Sequence, residues 1–399
     1  MHIKVLLLGT TISNNMKKRF IDMGIRPAPA DIAQQYIIDG LTNINNITNV
    51  QVIGSPRIPF YPKVKIKKVD NDYWQNEKVT YKTIGFSNFP FWGFFEREKR
   101  IEDSVIEWVK KTTGLKLLLI YSVHSPFLRA ALKAKRIDNN LKIGLIVPDL
   151  PQYMGNYSCV KKALKYVDGI QIKKMLKEVD NFFLYTKDMA ECLNLSPDKW
   201  IVFEGLIDQK KIEPRPTLNK NSTSKICIYA GSLDERYAID TLIKAFERTN
   251  ENAELRIYGD PKVATRLDSL LNKCHKTKFM GMVSSDEIFK LMRRADLLIN
   301  PRPSNLPLAK YSFPSKTFEY MATGTPVLMT RLPGIPDEYF KYMYVVEDET
   351  IDGFRNKLEE ILSTNDSELY NMGRNAQSFL LEKKTAQKQV ERIINFVFR

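Results

Sequence analysis

Ser315, Lys316, Thr317 and Glu319 form a short run whose types and spacing can do chemistry. Pro314 stands where a helix start tolerates proline, and Phe318, Met321 and Ala322 supply an apolar face at i, i+3 and i+4. Gly324 followed by Pro326 is the usual order for a helix stop. The first turn of such a helix offers unpaired backbone N–H groups and the positive end of a dipole, an anion site to which Lys316 adds a full charge. Glu319, one turn further in, has two oxygens that can accept hydrogen bonds from two neighbouring hydroxyls. A phosphate at the helix tip and a diol one turn away describe a ribose diphosphate. An ordinary helix with a solvated lysine and glutamate satisfies the same pattern.

Two further candidates lie at strand exits. Residues 115–121 (LKLLLIY) read as a buried strand, and His124 follows it just before a helix over 127–136. Residues 143–147 read as the next strand, and Asp149 leaves it. Groups just past a strand's carboxyl end face the crevice of an α/β sheet. There His124 can serve as base, acid or acceptor contact, and Asp149 can bind hydroxyls or act as base. The plain alternatives are a structural histidine and a helix-capping aspartate.

The elements that must position these residues follow a regular rhythm. Residues 3–8 form a continuous apolar strand turned away by Gly9, followed by a helix over 30–41 and a strand over 50–53. Residues 55–100 read as irregular, with an aromatic loop at 89–95 that either packs into the core or meets lipid beside Arg97, Lys99 and Arg100. Lys161, Lys162, Lys165, Lys173, Lys174 and Lys177 interleave with apolar residues, as in a basic amphipathic helix. A polar, proline-bearing linker is expected over 208–224. Beyond it, strands at 226–230, 255–258, 279–281, 297–299 and 327–329 alternate with helical patterns, which implies parallel βαβ units. Gly231, Ser232 and Arg236 leave the first of these strands toward a helix, a position that suits phosphate.

The 399 residues suggest two domains, and 43% hydrophobic and 27% charged residues are globular values. The formal charge of +15 favours an acidic partner. No nucleic-acid motif appears and the basic residues are spread along the chain, so nucleic acid is not expected. The N-terminus reads as a first strand rather than a signal peptide, and no apolar run is long enough to span a membrane. Four scattered cysteines and three histidines give no metal spacing, so no metal is expected and the thiols read as reduced and cytoplasmic. Asp70 and Asp72 spell DxD, but in a polar, lysine-flanked loop that reads as a solvated turn.

The stretch SFPSKTFEYMATGTPVLMT, followed by LPGIPDEY, resembles the donor-sugar motif of glycosyltransferase family 4, in the variant of bacterial capsule and exopolysaccharide transferases. That resemblance implies a GT-B fold. It would consist of an N-terminal acceptor domain (1–207) and a nucleotide-sugar domain (208–380), both Rossmann-like and facing across a cleft, with a final helix (381–399) crossing back. It implies Glu319 on the ribose and Lys316, Ser315, Thr317 and Arg236 near the diphosphate. It also implies Gly231, Ser232 and Gly281 as backbone contacts, Arg302 or Lys310 as electrostatic support, and His124 with Asp149 near the acceptor. Three positions depart from the family pattern. Ser232 and Tyr237 stand where arginine and lysine are common, and Tyr311 stands where a first glutamate is common.

The expected activity is a retaining, metal-independent transfer of a sugar from a nucleotide-sugar, by family frequency a UDP-sugar, to a saccharide acceptor. The acceptor would be lipid-linked and the enzyme cytoplasmic, peripheral on an anionic membrane. No cofactor is expected beyond the donor itself. A non-catalytic partner subunit and a nucleotide-sugar epimerase remain as alternatives on the same architecture.

Overall fold

The protein is described here by a computed structural model covering residues 2–25, 29–150, 159–209, 212–216 and 224–399. The chain divides into two units, residues 1–206 with 386–399, and residues 207–385.

The first unit opens β1 (Ile3–Gly9), α1 (Asn14–Asp22), α2 (Pro29–Thr42), β2 (Ile47–Gly54). It continues β3 (Lys68–Val69), β4 (Asp72–Gln75), β5 (Val79–Thr83), β6 (Phe86–Ser87) and α3 (Trp92–Lys111). Then come β7 (Leu115–Tyr121), α4 (Ser125–Ile137), β8 (Lys142–Val147), α5 (Cys159–Leu176), β9 (Asn181–Leu184), α6 (Asp188–Cys192) and β10 (Trp200–Val202). Eight strands make one sheet in the order β10-β9-β8-β7-β1-β2-β5-β4, parallel except for the edge strand β4. The central strands are buried on both faces, which is why they read as unbroken apolar runs. Strand order reverses between β1 and β7, so loops 9–13 and 121–125 leave the sheet side by side at its carboxyl edge.

Residues 55–100 are not irregular as the sequence suggested. They hold four short strands and the start of a twenty-residue helix, α3. Ile101, Val105, Trp108 and Val109 bury its inner face at i, i+4, i+7 and i+8. The aromatics at its start do not pack inward: Phe91 is 82% exposed and Trp92 71%. On α5, Ile172 and Leu176 are buried while Lys173 and Lys174 are exposed, the opposed faces expected there. The side chains of Lys161, Lys162 and Lys165 lie outside the described residues.

The second unit runs β11 (Lys225–Ala230), α7 (Ile239–Glu247), β12 (Ala253–Tyr258), α8 (Pro261–Ala264), α9 (Asp268–Leu271), β13 (Thr277–Gly281), α10 (Ser285–Arg293) and β14 (Leu297–Asn300). It then continues α11 (Ser315–Ala322), β15 (Val327–Thr330), β16 (Tyr344–Val346), α12 (Ile351–Ser363) and α13 (Asp366–Lys383). Its six-stranded sheet is wholly parallel, in the order β13-β12-β11-β14-β15-β16. That is the doubly wound 3-2-1-4-5-6 arrangement, with its switch point between β11 and β14.

The segment read as a free linker is in part packed. Arg215 is buried and donates to the Ala295 carbonyl at 2.5 Å, while residues 210–211 and 217–223 lie outside the described residues. The returning segment begins at Ala386, not at 381. Its helix α14 (Ala386–Val397) packs on α2, where a side chain at Gly40 would strike Ala386 and Val390. Val390, Ile393, Ile394 and Val397 join the core of the first unit. Each such buried aliphatic is worth roughly 1.5–3 kcal/mol. Among the described residues no helix is long and apolar enough to cross a membrane.

Candidate functional site

In the second unit the candidate residues gather at the carboxyl ends of β11, β12, β13 and β14. Gly231 leaves β11 and its N–H donates to the Tyr258 carbonyl at 2.9 Å. Gly259, the next residue, donates to the Gly281 carbonyl at 2.9 Å. A β-carbon at Gly259 would lie 2.8 Å from the Gly231 carbonyl oxygen, so three strand exits crowd together backbone to backbone. Gly281 takes a positive φ of 77°, a left-handed turn that glycine adopts without cost.

Lys316 closes this arrangement. An ideal β-carbon on residue 231 would sit 1.3 Å from Lys316 Nζ and 2.9 Å from the Tyr229 hydroxyl. The ammonium therefore rests on bare backbone, which only a glycine permits. It also lies 4.9 Å from the centre of the Tyr229 ring, a cation–π contact. Burial pulls its pKa down to about 8, partly offset by the carboxylate of Glu319. The same crowding raises the Glu319 carboxyl pKa, with Lys316 opposing the rise. Glu319 nonetheless keeps an open side to solvent. Ammonium and carboxylate thus stand one turn apart on one helix, both partly stripped of water.

Helix α11 holds them in place. Pro314 is its N-cap and brings no capping side chain, so no side-chain acceptor closes the first turn. Ser315 is exposed at that start, and Thr317 is buried with its hydroxyl unpartnered. Tyr320 fastens the helix to the β11 exit: its hydroxyl receives the Ala230 N–H at 3.0 Å and lies 3.2 Å from the Ala230 carbonyl. Beneath the helix Phe313, Phe318 and Tyr339 form a ring cluster with centroids 4.9 to 6.1 Å apart. At the far end the buried Gln377 donates to the Ala322 carbonyl at 2.7 Å, and Gly324 turns with φ of 74°.

Not every residue singled out from sequence converges here. Ser232 does, through its carbonyl, which accepts from the Tyr229 hydroxyl at 2.6 Å. Arg236 is 70% exposed, and Asp234 holds its guanidinium at 2.8 and 3.0 Å, which depresses the Asp234 carboxyl pKa to about 2. It is therefore already paired with a neighbouring carboxylate. Arg302, after β14, is partly buried with Nε unpartnered, and burial lowers its pKa. Lys310 lies over the ring of Tyr311.

Sequence reading missed Arg266. It reaches back from the short turns after β12 to the Leu233 carbonyl at 2.6 Å and Asp240 at 2.8 Å, and leaves one guanidinium nitrogen buried and unpartnered. It puts a fixed positive charge behind the Gly231–Asp234 loop. No motif marks it, because its nearest loop partners are some thirty residues away in sequence.

In the first unit a cavity of about 140 Å³ opens at the switch point, lined by Thr10, Lys17, Arg57, Tyr121, Ser122 and Asp149 among others. Burial raises the Asp149 carboxyl pKa. Ser122 holds a positive φ of 74°, a conformation that non-glycine residues keep only under constraint. Tyr121 and Tyr185 meet hydroxyl to hydroxyl at 3.4 Å behind it. His124 lies beside the cavity rather than on its wall. Its ring packs edge-on against Phe127 at 4.6 Å, and Nδ1 is enclosed without a partner. Burial and the guanidiniums of Arg57, Arg97 and Arg129 push its pKa down to about 3, so the imidazole is neutral. Asp72 of the DxD sequence accepts from the Ser13 hydroxyl, and Asp70 lies 3.6 Å from Lys68.

Residues 210–379 match the family described as Glycosyl transferases group 1. An uncharacterised glycosyltransferase of Methanocaldococcus jannaschii is 28% identical over 172 residues, 42% of this chain and 43% of that protein. The N-acetyl-alpha-D-glucosaminyl L-malate synthase of Bacillus anthracis is 26% identical over 222 residues, 54% of this chain and 55% of that protein. The chain thus aligns with about half the length of these curated relatives. Solved structures match over nearly its whole length. The lipopolysaccharide outer core galactosyltransferase WaaB covers 99% of both chains at a TM-score of 0.63 and 12% identity. An Escherichia coli trehalose-6-phosphate structure bound with UDP-2-fluoro glucose covers 99% of this chain and 98% of its own at 0.65 and 10%. At such identities the likeness speaks to fold alone. Sequence and fold agree: residues 210–379 match the group 1 glycosyl transferases, on a chain with the GT-B fold.

Proposed function

We propose that the protein is a glycosyltransferase that moves a sugar from a nucleotide-sugar to a saccharide acceptor with retention of anomeric configuration. The observation that carries this reading is Lys316 seated on Gly231 at an uncapped helix start, with Glu319 one turn away. The diphosphate of the donor meets the ammonium and the first-turn amides, and the ribose diol meets the carboxylate. The bond between the anomeric carbon and the diphosphate oxygen breaks. The acceptor oxygen bonds to that carbon, its proton passes to a base, and the nucleoside diphosphate departs. Lys316 and the helix N–H groups stabilise the charge that builds on the leaving group. Asp149, with its raised pKa, is the acceptor-side group suited to holding a hydroxyl or its proton. His124, neutral and set back from the cavity wall, carries no charge to the reaction.

The donor is read as a UDP-sugar, the donor that the family resemblance of residues 312–339 implies by frequency. The acceptor is read as lipid-linked, in bacterial surface polysaccharide synthesis, at an anionic membrane face. The net charge of +15 supports an acidic partner. Charge neutralisation is assigned to protein groups, so transfer should persist in EDTA. Nucleotide release from UDP-sugars with and without saccharide acceptors tests the reading. Acceptor-dependent release, reduced sharply by Glu319→Ala through the donor KM, supports it. Because Asp234 occupies Arg236, a non-catalytic binding subunit is the second reading. It predicts donor binding without release.

A further inference from the structure

Among the described residues of the first unit, the start of α3 carries the most exposed aromatic cluster. Phe91, Trp92 and Phe95 are 82%, 71% and 67% exposed, and Phe89 is 40%. These rings are held outward by a fixed base. Phe91 sits in a γ-turn with φ of 62°, closed by the Trp92 N–H to the Pro90 carbonyl at 2.8 Å, a conformation costly for a bulky residue. Gly93 packs so closely on β6 that a β-carbon would lie 1.9 Å from the Ser87 carbonyl oxygen. The Ser87 N–H donates to Glu96 at 2.9 Å. Fully buried Asn88 donates to the carbonyls of Pro59 and Ile66 at 3.0 and 2.9 Å, and accepts from the Tyr61 N–H at 3.0 Å. The turn and the loop over 59–67 are therefore one rigid piece, with the Phe89 and Tyr61 rings in contact at 5.6 Å.

That loop supplies the charge. Residues 55–69 contain Arg57, Lys63, Lys65, Lys67 and Lys68 and no carboxylate. All five basic side chains are exposed. Among the described residues no ion pair engages Lys63 or Lys65. The carboxylates of α3 up to Asp103 are all paired: Glu96 with Arg100, Glu98 with Arg129, Glu102 with Lys133 and Asp103 with Lys99. Arg129 also bridges to Gln171 of α5 at 3.2 Å. Close to that point α5 exposes Val167 and Ile170, and α3 exposes Phe95 one turn before Glu98.

We propose that this face, centred on Phe91, Trp92 and Phe95 and flanked by Lys63, Lys65 and Lys67, docks on an anionic lipid surface. Amphipathic aromatics sit at the headgroup level and lysines are drawn to anionic headgroups; the patch presents both together. Lys17, Phe20, Ile25, Arg57 and Ile58 all line the switch-point cavity. Arg57 and Ile58 also belong to the loop that carries Lys63, Lys65 and Lys67, so one loop links the docked face to the cavity that an acceptor would enter. The inference rests on the proposed lipid-linked acceptor for its purpose, but not for its geometry.

Flotation of the full chain with phosphatidylcholine vesicles, and with vesicles containing added phosphatidylglycerol, tests it, together with thermal shift by nucleotide on the same samples. The protein should float with the anionic vesicles alone and be released by high salt. Combined Phe91→Ser, Trp92→Ser and Phe95→Ser should cut the bound fraction by roughly tenfold or more. Combined Lys63→Glu and Lys65→Glu should remove the dependence on anionic lipid. Because these side chains are exposed, the thermal midpoint should not change. Equal flotation of the aromatic variant, no flotation of the native chain, or a dimer that the aromatic substitutions dissolve would each overturn the docking surface. Lost nucleotide shift with flotation intact would sink the transferase reading instead.

Discussion

Lys316 Nζ occupies the volume that a β-carbon on residue 231 would need, 1.3 Å from its ideal position. A glycine that leaves one strand and a lysine on a helix some eighty residues later thus form a single feature. The strand exit is bare so that the ammonium can lie on it, and Tyr320 ties the lysine's helix to Ala230, the residue before that glycine.

Gly231→Ala should displace the ammonium more than it disturbs the fold, because its φ is not in the left-handed region. Donor affinity should fall by roughly tenfold to a hundredfold, about 1.4–2.7 kcal/mol, while the urea midpoint moves little. Titration calorimetry with a UDP-sugar, beside urea unfolding, checks both halves.

Donor binding should weaken as pH rises through about 8. Lys316 is charged below that value and neutral above it, since burial has lowered its pKa from the ordinary 10.5. A bound diphosphate restores the charge, so binding near pH 8 should take up a proton, visible as a dependence of the binding heat on buffer ionisation. The sign for stability is opposite. Between the folded value and the unfolded one the unfolded chain binds more protons, so the unliganded protein should gain stability there as pH rises. Lys316→Met should remove both effects.

Glu319→Ala should cost donor binding about 1–3 kcal/mol if its carboxylate accepts from the ribose diol. The cost should vanish when the nucleotide lacks its ribose hydroxyls. Affinities of the native and substituted chains for the ribo and dideoxy nucleotides form the cycle that measures this.

His124 should make the fold sensitive to acid. Its folded pKa lies at about 3, below the unfolded value near 6.5, so between these values the unfolded chain takes up the extra proton. Stability should fall as pH drops below about 6.5. His124→Gln should flatten that fall in a series of thermal midpoints.

Much of the second unit was legible in the sequence, because its signals are local. The apolar face of Phe318 and Met321, the Gly324 stop and the βαβ rhythm all lie within short windows, and α11 forms where they place it. The start of α3 was not legible. Its first turn reads as an aromatic loop, and the buried set Ile101, Val105 and Trp108 comes only later. Outward aromatics also contradict the expectation that rings bury, and only the clamp at Gly93 and Asn88 explains them. Arg266 and the pairing of Arg236 with Asp234 were out of reach for another reason. Their roles depend on which partner lies near in space, and sequence spacing carries none of that.

The most direct measurement is the thermal shift of the native chain and of Lys316→Ala across nucleoside diphosphates and their sugar esters. The native chain should be stabilised by one nucleotide class, by an amount that follows ligand concentration over its Kd, and Lys316→Ala should lose nearly all of that stabilisation. No shift with any nucleotide, or an equal shift in the two chains, would contradict the account.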